Sequence, residues 1–243
     1  MKLLVSVAGE IETAAAVEGG ADIIDIKNPK EGALGANFPH VIRNVRKATP
    51  QSIPVSAAIG DVPNLPGMIS LAALGAASCG VQYVKAGLFG VQYENDAVHL
   101  LREVCRAVRG YDPRVRIIAT AYADAHKFNA LPPLDLPKVA IKAGVDGCLL
   151  DTAAKGEGTL LTNLSENQLK DFVSQCSGNK LLCALAGSLM PTDIDTILGL
   201  NADIIGVRTA ACRGGRIKGV IDADKVRALK RLIGAGTSPE SAL

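Results

Sequence analysis

Eight short apolar runs alternate with eight helical patterns along this chain, and that alternation leaves few folds open. The apolar runs cover residues 3–7, 23–27, 55–59, 83–86, 116–121, 147–151, 181–186 and 203–207. Between and after them, helical periodicity covers 11–18, 38–48, 66–78, 95–108, 136–142, 166–175, 191–198 and 223–232. The turns Gly20-Ala21-Asp22, Gly144-Val145-Asp146 and Asn201-Ala202-Asp203 supply the left-handed residue that ends a helix before the next strand. Repeated strand–helix units of this number predict an α/β chain folded as a single (β/α)8 TIM barrel. A doubly wound open sheet is the alternative, but no Gly-x-Gly-x-x-Gly follows the first strand and no strand is left over. Residues 1–233 are expected to form the one barrel domain, and 234–243 a disordered tail.

Charge and composition narrow the partners. Twenty-six Lys and Arg against 24 Asp and Glu give a net charge of only +2, and aromatics make up 3% with no Trp. Neither a broad basic surface nor base-stacking platforms are available, so nucleic acid is not expected as a partner. A local positive field suits a small anionic substrate instead. The six cysteines are scattered through apolar segments with no Cys-x-x-Cys pair, which reads as small buried hydrophobes in a reducing compartment. His40, His99 and His126 have no ligand spacing, so neither a metal nor a cofactor is expected. The apolar start is too short for a signal peptide, with Glu10 and Glu12 following at once, and no run approaches the ~20 residues of a membrane span. A soluble, cytoplasmic protein is the expectation, and a homo-oligomer is compatible with the sequence without being specified by it.

Five charged residues stand where apolar runs end: Asp25 and Lys27, Lys85, and Asp151 with Lys155 just beyond it. In Ile23-Ile24-Asp25-Ile26-Lys27, the two-residue period of a strand puts Asp25 and Lys27 on one face and Ile24 and Ile26 on the other. Charge at the end of a buried strand costs several kcal/mol unless the groups pair or do chemistry. In such barrels the carboxyl ends of the strands carry the active site. Lys27, among other cations that favour its amine form, is the best nucleophile for a carbonyl and would form an imine. Lys85 and Lys155 would supply the positive field; Asp25 and Asp151 would offset it and shuttle protons. A stabilising salt-bridge network closing the barrel mouth is the competing reading.

A second feature points to phosphate. The seventh strand runs into Gly187-Ser188, and the eighth into Arg208-Thr209-Ala210, followed by Arg213-Gly214-Gly215-Arg216. Loops after strands seven and eight hold phosphate in many barrels, through backbone N–H groups near a helix terminus. Gly187 would permit close backbone approach and Ser188 a hydroxyl, with Gly214 and Gly215 in the adjoining turn. Arg208, Arg213 and Arg216 would add charge-assisted bonds. Alone, this motif is two ordinary Gly-rich turns and a basic loop; beside the amine cluster it points to a phosphorylated carbonyl substrate. Asn28-Pro29-Lys30-Glu31-Gly32-Ala33-Leu34-Gly35, directly after Lys27, is too Gly-rich for a helix and reads as a mobile lid.

The strings Leu3-Leu4-Val5-Ser6-Val7, Asp25-Ile26-Lys27-Asn28-Pro29-Lys30-Glu31-Gly32-Ala33-Leu34-Gly35, Tyr83-Val84-Lys85-Ala86-Gly87-Leu88, Leu150-Asp151-Thr152-Ala153-Ala154-Lys155 and Leu185-Ala186-Gly187-Ser188-Leu189 together carry a resemblance. They resemble the (5-formylfuran-3-yl)methyl phosphate synthase family, also called 4-(hydroxymethyl)-2-furancarboxaldehyde-phosphate synthase, over essentially the whole chain. The resemblance implies a TIM-barrel carbon–oxygen lyase acting on phosphates. It would condense two glyceraldehyde 3-phosphate molecules into the furan aldehyde, losing phosphate and water, in methanofuran-type cofactor biosynthesis. On the family pattern Lys27 is the Schiff-base lysine and Lys85 a proton acceptor, with Asp25, Asp151 and Lys155 in the same site. The expected order is imine, enamine, loss of phosphate, addition to the aldehyde of the second triose, then cyclisation. Another Schiff-base aldolase of the deoxyribose-phosphate type, and a non-catalytic phosphometabolite-binding barrel, are the rival readings.

Overall fold

Strand follows helix from the second residue onward in a computed structural model of the chain, which describes residues 1–61 and 63–235. The elements are β1 (Lys2–Val7), α1 (Glu10–Glu18), β2 (Ile23–Ile26), α2 (Pro39–Ala48), β3 (Val55–Ala58), α3 (Pro66–Ala77), β4 (Tyr83–Gly87), α4 (Glu94–Tyr111) and β5 (Arg116–Tyr122). Then come α5 (Leu136–Ala143), β6 (Gly147–Asp151), α6 (Leu160–Asn163), α7 (Glu166–Gly178), β7 (Leu182–Leu185), α8 (Ile194–Gly199), β8 (Ile204–Val207), β9 (Cys212–Arg213), β10 (Val220–Ile221) and α9 (Ala223–Ala235). β1 to β8 pair in order, all parallel, and β8 closes on β1 through Leu4↔Gly206 and its neighbours. The expected eight-stranded barrel is the fold.

Alternation along each strand sorts its side chains into two cores. Outward residues such as Leu3, Val5, Ile24, Ile26, Val84, Ile117 and Leu150 pack in one cluster with helix residues including Ile42, Leu101, Phe172 and Val226. Inward residues from the starts of the strands, Leu4, Ile23, Ile118, Leu149, Ala184 and Ile204, form a separate plug inside the barrel. Burying an aliphatic side chain of this size contributes about 1.5–3 kcal/mol. The inward positions farther along the strands are polar: Ser6, Asp25, Ser56, Lys85 and Asp151. One end of the barrel is therefore an apolar floor, and the other a polar cavity.

A repeated device sets where the strands begin. Gly20, Gly144 and Asn201 adopt φ of 90°, 75° and 59°, as the turn motifs predict, and each brings an aspartate to the foot of the next strand. Asp22, Asp146 and Asp203 each accept the backbone N–H of a residue on the preceding strand: Leu3, Ile117 and Cys183, at 2.7–2.8 Å. Gln82 does the same for Val55 at 2.9 Å. These bonds satisfy strand-start donors that have no ladder partner.

Three departures from the sequence expectation matter. The segment 191–198 opens as a 3-10 turn over Pro191–Asp193 before α8 begins at Ile194, because its Pro at the start offers no N–H and suits a tight first turn. After β8 the chain forms an antiparallel hairpin, β9 against β10, that periodicity did not reveal. Gly234 and Ala235, expected to fray, close α9. The rest of the expected tail, 236–243, lies outside the described residues. All six cysteines are free and buried, and no helix among the described residues is long and apolar enough to cross a membrane.

Candidate active site

Asp25, Lys27, Lys85, Asp151 and Lys155 all line one cavity at the carboxyl ends of the strands. Asp25 and Lys27 share the inward face, while Ile24 and Ile26 join the outer core. β4 continues two residues past Lys85, so this lysine sits within its strand rather than at the end. There it meets Asp25: Lys85 Nζ lies 2.7 Å from Asp25 Oδ1. Ser56 Oγ donates to the same oxygen at 2.5 Å, and Ser6 Oγ donates to Oδ2 at 2.8 Å. Burial alone would raise the Asp25 carboxyl, but Lys85, Lys27 and the bond from Ser56 hold it below the usual carboxylate range. Both oxygens are committed, so Asp25 is a fixed anion and not a free shuttle.

Asp151 anchors the second cluster. Its Oδ1 accepts from Lys155 Nζ at 2.7 Å and from the Thr152 N–H at 2.8 Å. Its Oδ2 lies 3.8 Å from Lys27 Nζ. Burial opposes its charge, but Lys155 and Lys27 outweigh that and bring its pKa down to about 2. Lys27 is different from its neighbours. Its ammonium makes no hydrogen bond to a described residue, and Asp151 is the nearest carboxylate. Desolvation is the largest influence on it; the attraction of Asp151 is opposed by Lys155 and Lys85, and the amine falls to about 8. Asp25 makes no ion pair with Lys27, so the carboxylate beside this amine is Asp151, contributed by a different strand.

The residues expected to hold phosphate separate into two groups. Gly187, Ser188, Arg208 and Arg216 line the cavity; Arg213, Gly214 and Gly215 do not. Gly187 has φ 117°, and a Cβ there would meet Thr152 Cγ2 at 3.1 Å and Thr152 N at 3.2 Å. Ser188 sits at φ 55°, left-handed backbone that a non-glycine residue adopts at a cost. The N–H groups of Gly187 and Ser188 have no acceptor among the described residues. Thr209, not singled out from the sequence, also lines the cavity.

Arg208 is not available to an anion, contrary to expectation. Its guanidinium makes a two-pronged pair with Glu12, at 2.8 and 3.1 Å, and also donates to the Ser6 carbonyl at 2.9 Å. A buried arginine needs such a carboxylate, and α1 supplies it from across the closure of the barrel. Arg213 instead pairs with Asp222 on the exposed side of the β9–β10 hairpin. Gly214 and Gly215, at φ 86° and 87°, shape the turn of that hairpin. The turn carries Arg216 back over the cavity.

The segment after Lys27 is pinned, not a loose lid. Leu34 is fully buried, its N–H donates to Asp61 Oδ2 at 2.8 Å, and its carbonyl accepts from the Gly60 N–H at 3.0 Å. Asn28 N–H donates to the Gly35 carbonyl at 2.8 Å, closing the loop on itself. Asp61 in turn accepts from the Tyr122 hydroxyl, whose pKa burial and Asp61 push well above its ordinary value. Ser6, Ser56, Asp61 and Tyr122 carried no signal in the sequence beyond their polarity in or beside apolar runs.

Comparison with known proteins bears on this geometry. A family model described as 4-HFC-P synthase matches residues 3–230. The chain is 48% identical to "(5-formylfuran-3-yl)methyl phosphate synthase" of Methanocaldococcus jannaschii over 96% of this chain and 99% of that one. It is 45% identical to the protein of the same name from Methanothermobacter thermautotrophicus, with the same coverages. Among solved structures it resembles KGPDC from Streptococcus mutans, with a TM-score of 0.69 at 14% identity over 98% of this chain and 99% of the other. It also resembles 3-hexulose-6-phosphate synthase from Salmonella typhimurium, with a TM-score of 0.67 at 14% identity over 97% and 100%. At that identity the structural likeness speaks for the barrel alone.

Proposed function

The chain belongs to the (5-formylfuran-3-yl)methyl phosphate synthase family, and from that premise we propose that it makes this furan from two molecules of glyceraldehyde 3-phosphate through an imine on Lys27. The observation that carries the reading is Lys27 itself. It is a buried amine with no hydrogen bond to a described residue, a pKa brought down to about 8, and carboxylates nearby that are already committed to other lysines. Attack of its nitrogen on the aldehyde expels water and leaves an iminium. The iminium acidifies the C2–H, and Lys85 in its amine form receives that proton as the enamine forms, with the fixed Asp25 anion holding the resulting ammonium. The enamine electrons then expel phosphate from C3.

The enol carbon so produced adds to the second triose. In the product, the ring carbon that accepts this bond bears the phosphomethyl group directly. It is therefore the middle carbon of its triose, and the acceptor reacts as a ketone, not as the aldehyde expected from the sequence. The aldose and ketose forms interconvert through the enediol of the free triose rather than the imine: a base takes the C2 proton as the C1 oxygen gains one, then C1 gains a proton as the C2 hydroxyl loses its own. Closure of the ring and net loss of two waters complete the furan, and hydrolysis of the iminium releases its formyl group and frees Lys27, with the Lys155–Asp151 pair as the acid and base for these steps. Lys155 stands close to solvent relative to Lys85, with side-chain exposure of 18% against 4%, which suits exchange of protons with water.

The test is direct. Purified protein given glyceraldehyde 3-phosphate should release inorganic phosphate and yield a furan identified by mass. Borohydride should trap substrate on Lys27, and Lys27→Ala should abolish trapping. Trapping that persists on another lysine reassigns the nucleophile. A reversible aldol product without phosphate release makes the protein an ordinary Schiff-base aldolase, and saturable binding without turnover makes it a binding protein.

A further inference from the structure

Two phosphorylated substrates in one cavity need two places for phosphate, and the Gly187–Ser188 turn after β7 accounts for one. Arg216 lies elsewhere. It lines the cavity from the tip of the β9–β10 hairpin, half-buried, and its guanidinium reaches across the mouth to the segment following β2. There it donates to the Pro29 carbonyl at 3.2 Å and the Gly32 carbonyl at 2.9 Å. Between that spot and Gly187–Ser188 stand the ends of β8 and β1.

Both protein partners of this guanidinium are neutral. Among the described residues no carboxylate lies within ion-pair distance of Arg216, whereas Arg208 beside it is neutralised by Glu12. Desolvation pushes the Arg216 pKa down, with Asp151 the largest opposing influence. A partly buried arginine without a counter-ion favours an anion in the space it faces. Its position is held from behind: Arg208 Nε donates to the Arg216 carbonyl at 2.9 Å, so the buried Glu12–Arg208 pair orients the strap that carries it.

The geometry points to Arg216 as a second phosphate subsite, on the β2 side of the cavity mouth, taking the phosphate of whichever triose does not occupy the Gly187–Ser188 site. This rests on the two-substrate reading above. Lys27 directly follows β2 and opens the segment that Arg216 grips, so the subsite adjoins the nucleophile and places one triose on each side of it. Arg216 thereby also ties occupancy of the mouth to the pinned segment that follows Lys27.

The probe is glycerol 3-phosphate, which has the phosphate and chain length of the substrates but no carbonyl to form an imine. Calorimetric titration of the wild type should find two molecules per chain. Arg216→Gln, which preserves the backbone carbonyl used by Arg208, should keep one and weaken the other at least tenfold. Arg216→Lys, with the charge but not the two loop bonds, should retain the second site. Trapping of unphosphorylated glyceraldehyde on Lys27 should fall far less in Arg216→Gln than second-site binding does, because glyceraldehyde carries no phosphate and only the bonds to the Pro29 and Gly32 carbonyls are lost. One molecule bound by the wild type, or two bound with unchanged affinity by Arg216→Gln, overturns the subsite. Loss of both binding and glyceraldehyde trapping in Arg216→Gln also overturns it, since Arg216 would then act by holding the loop. Two sites without furan production would sink the proposed reaction and leave the subsite standing.

Discussion

Asp151→Asn should move the titration of Lys27 toward acid. The two groups lie 3.8 Å apart, and at an effective dielectric of about 20 such charges attract by about 4 kcal/mol. That corresponds to roughly three pKa units. Lys155, 2.7 Å from the same carboxylate, shares the attraction, so about one to three units is the expected fall. Asparagine keeps the shape and one oxygen for Lys155 and Thr152, while the repulsion from Lys155 is left uncompensated. With a pKa of about 8, Lys27 is neutral in about a tenth of molecules at pH 7; in the variant that becomes about half or more. The assay is the pH dependence of the rate at which borohydride traps glyceraldehyde on Lys27, read by mass. The midpoint should fall to about 7 or below, even as overall turnover drops through loss of an acid–base partner. A midpoint that stays put or climbs refutes the idea that Asp151 governs this amine.

Lys27→Met should abolish activity yet stabilise the fold. Burial brings the Lys27 pKa from 10.5 to about 8, so the unfolded chain binds its proton more tightly, and stability rises as pH climbs from about 8 toward 10.5. Below that window the cost is about 3 kcal/mol. Urea titration should show the variant more stable at pH 7 by about 1–3 kcal/mol and without the alkaline rise. Ser56→Ala removes a buried donor from Asp25 and should cost about 1.5–3 kcal/mol, with the acid limb of the stability profile moving to higher pH as the Asp25 pKa climbs. Glu12→Ala leaves Arg208 buried without its counter-ion. It should cost about 3–5 kcal/mol in denaturant and disorder the strap bearing Arg216, visible as faster amide exchange around that residue.

The barrel was legible because its signal is local. Period-2 runs such as 23–27 and left-handed turns such as Gly144-Val145-Asp146 depend on a few adjacent residues, and eight repetitions admit one simple closure. Asp25, Lys27, Lys85, Asp151 and Lys155 were legible as a set because charge in an apolar run is costly enough to need a reason. Their partners were not. That Asp25 belongs with Lys85, Ser6 and Ser56, and Asp151 with Lys27, depends on strand register around a closed ring.

The arginines show the same limit from the other side. Arg208, Arg213 and Arg216 look alike along the chain, separated by a few residues in one Gly-rich loop. Their fates differ because Glu12 arrives from the first helix, Asp222 from the far arm of a hairpin, and the Pro29 and Gly32 carbonyls from the segment after β2. The sequence by itself determined the strand–helix alternation and which inward positions would be charged, since both follow from near-neighbour patterning. Only the tertiary structure decided which charges neutralise one another and which face the cavity. Coulombic pairing acts over a few ångströms of space, and Arg208 and Glu12, which meet, are separated by 196 positions along the chain.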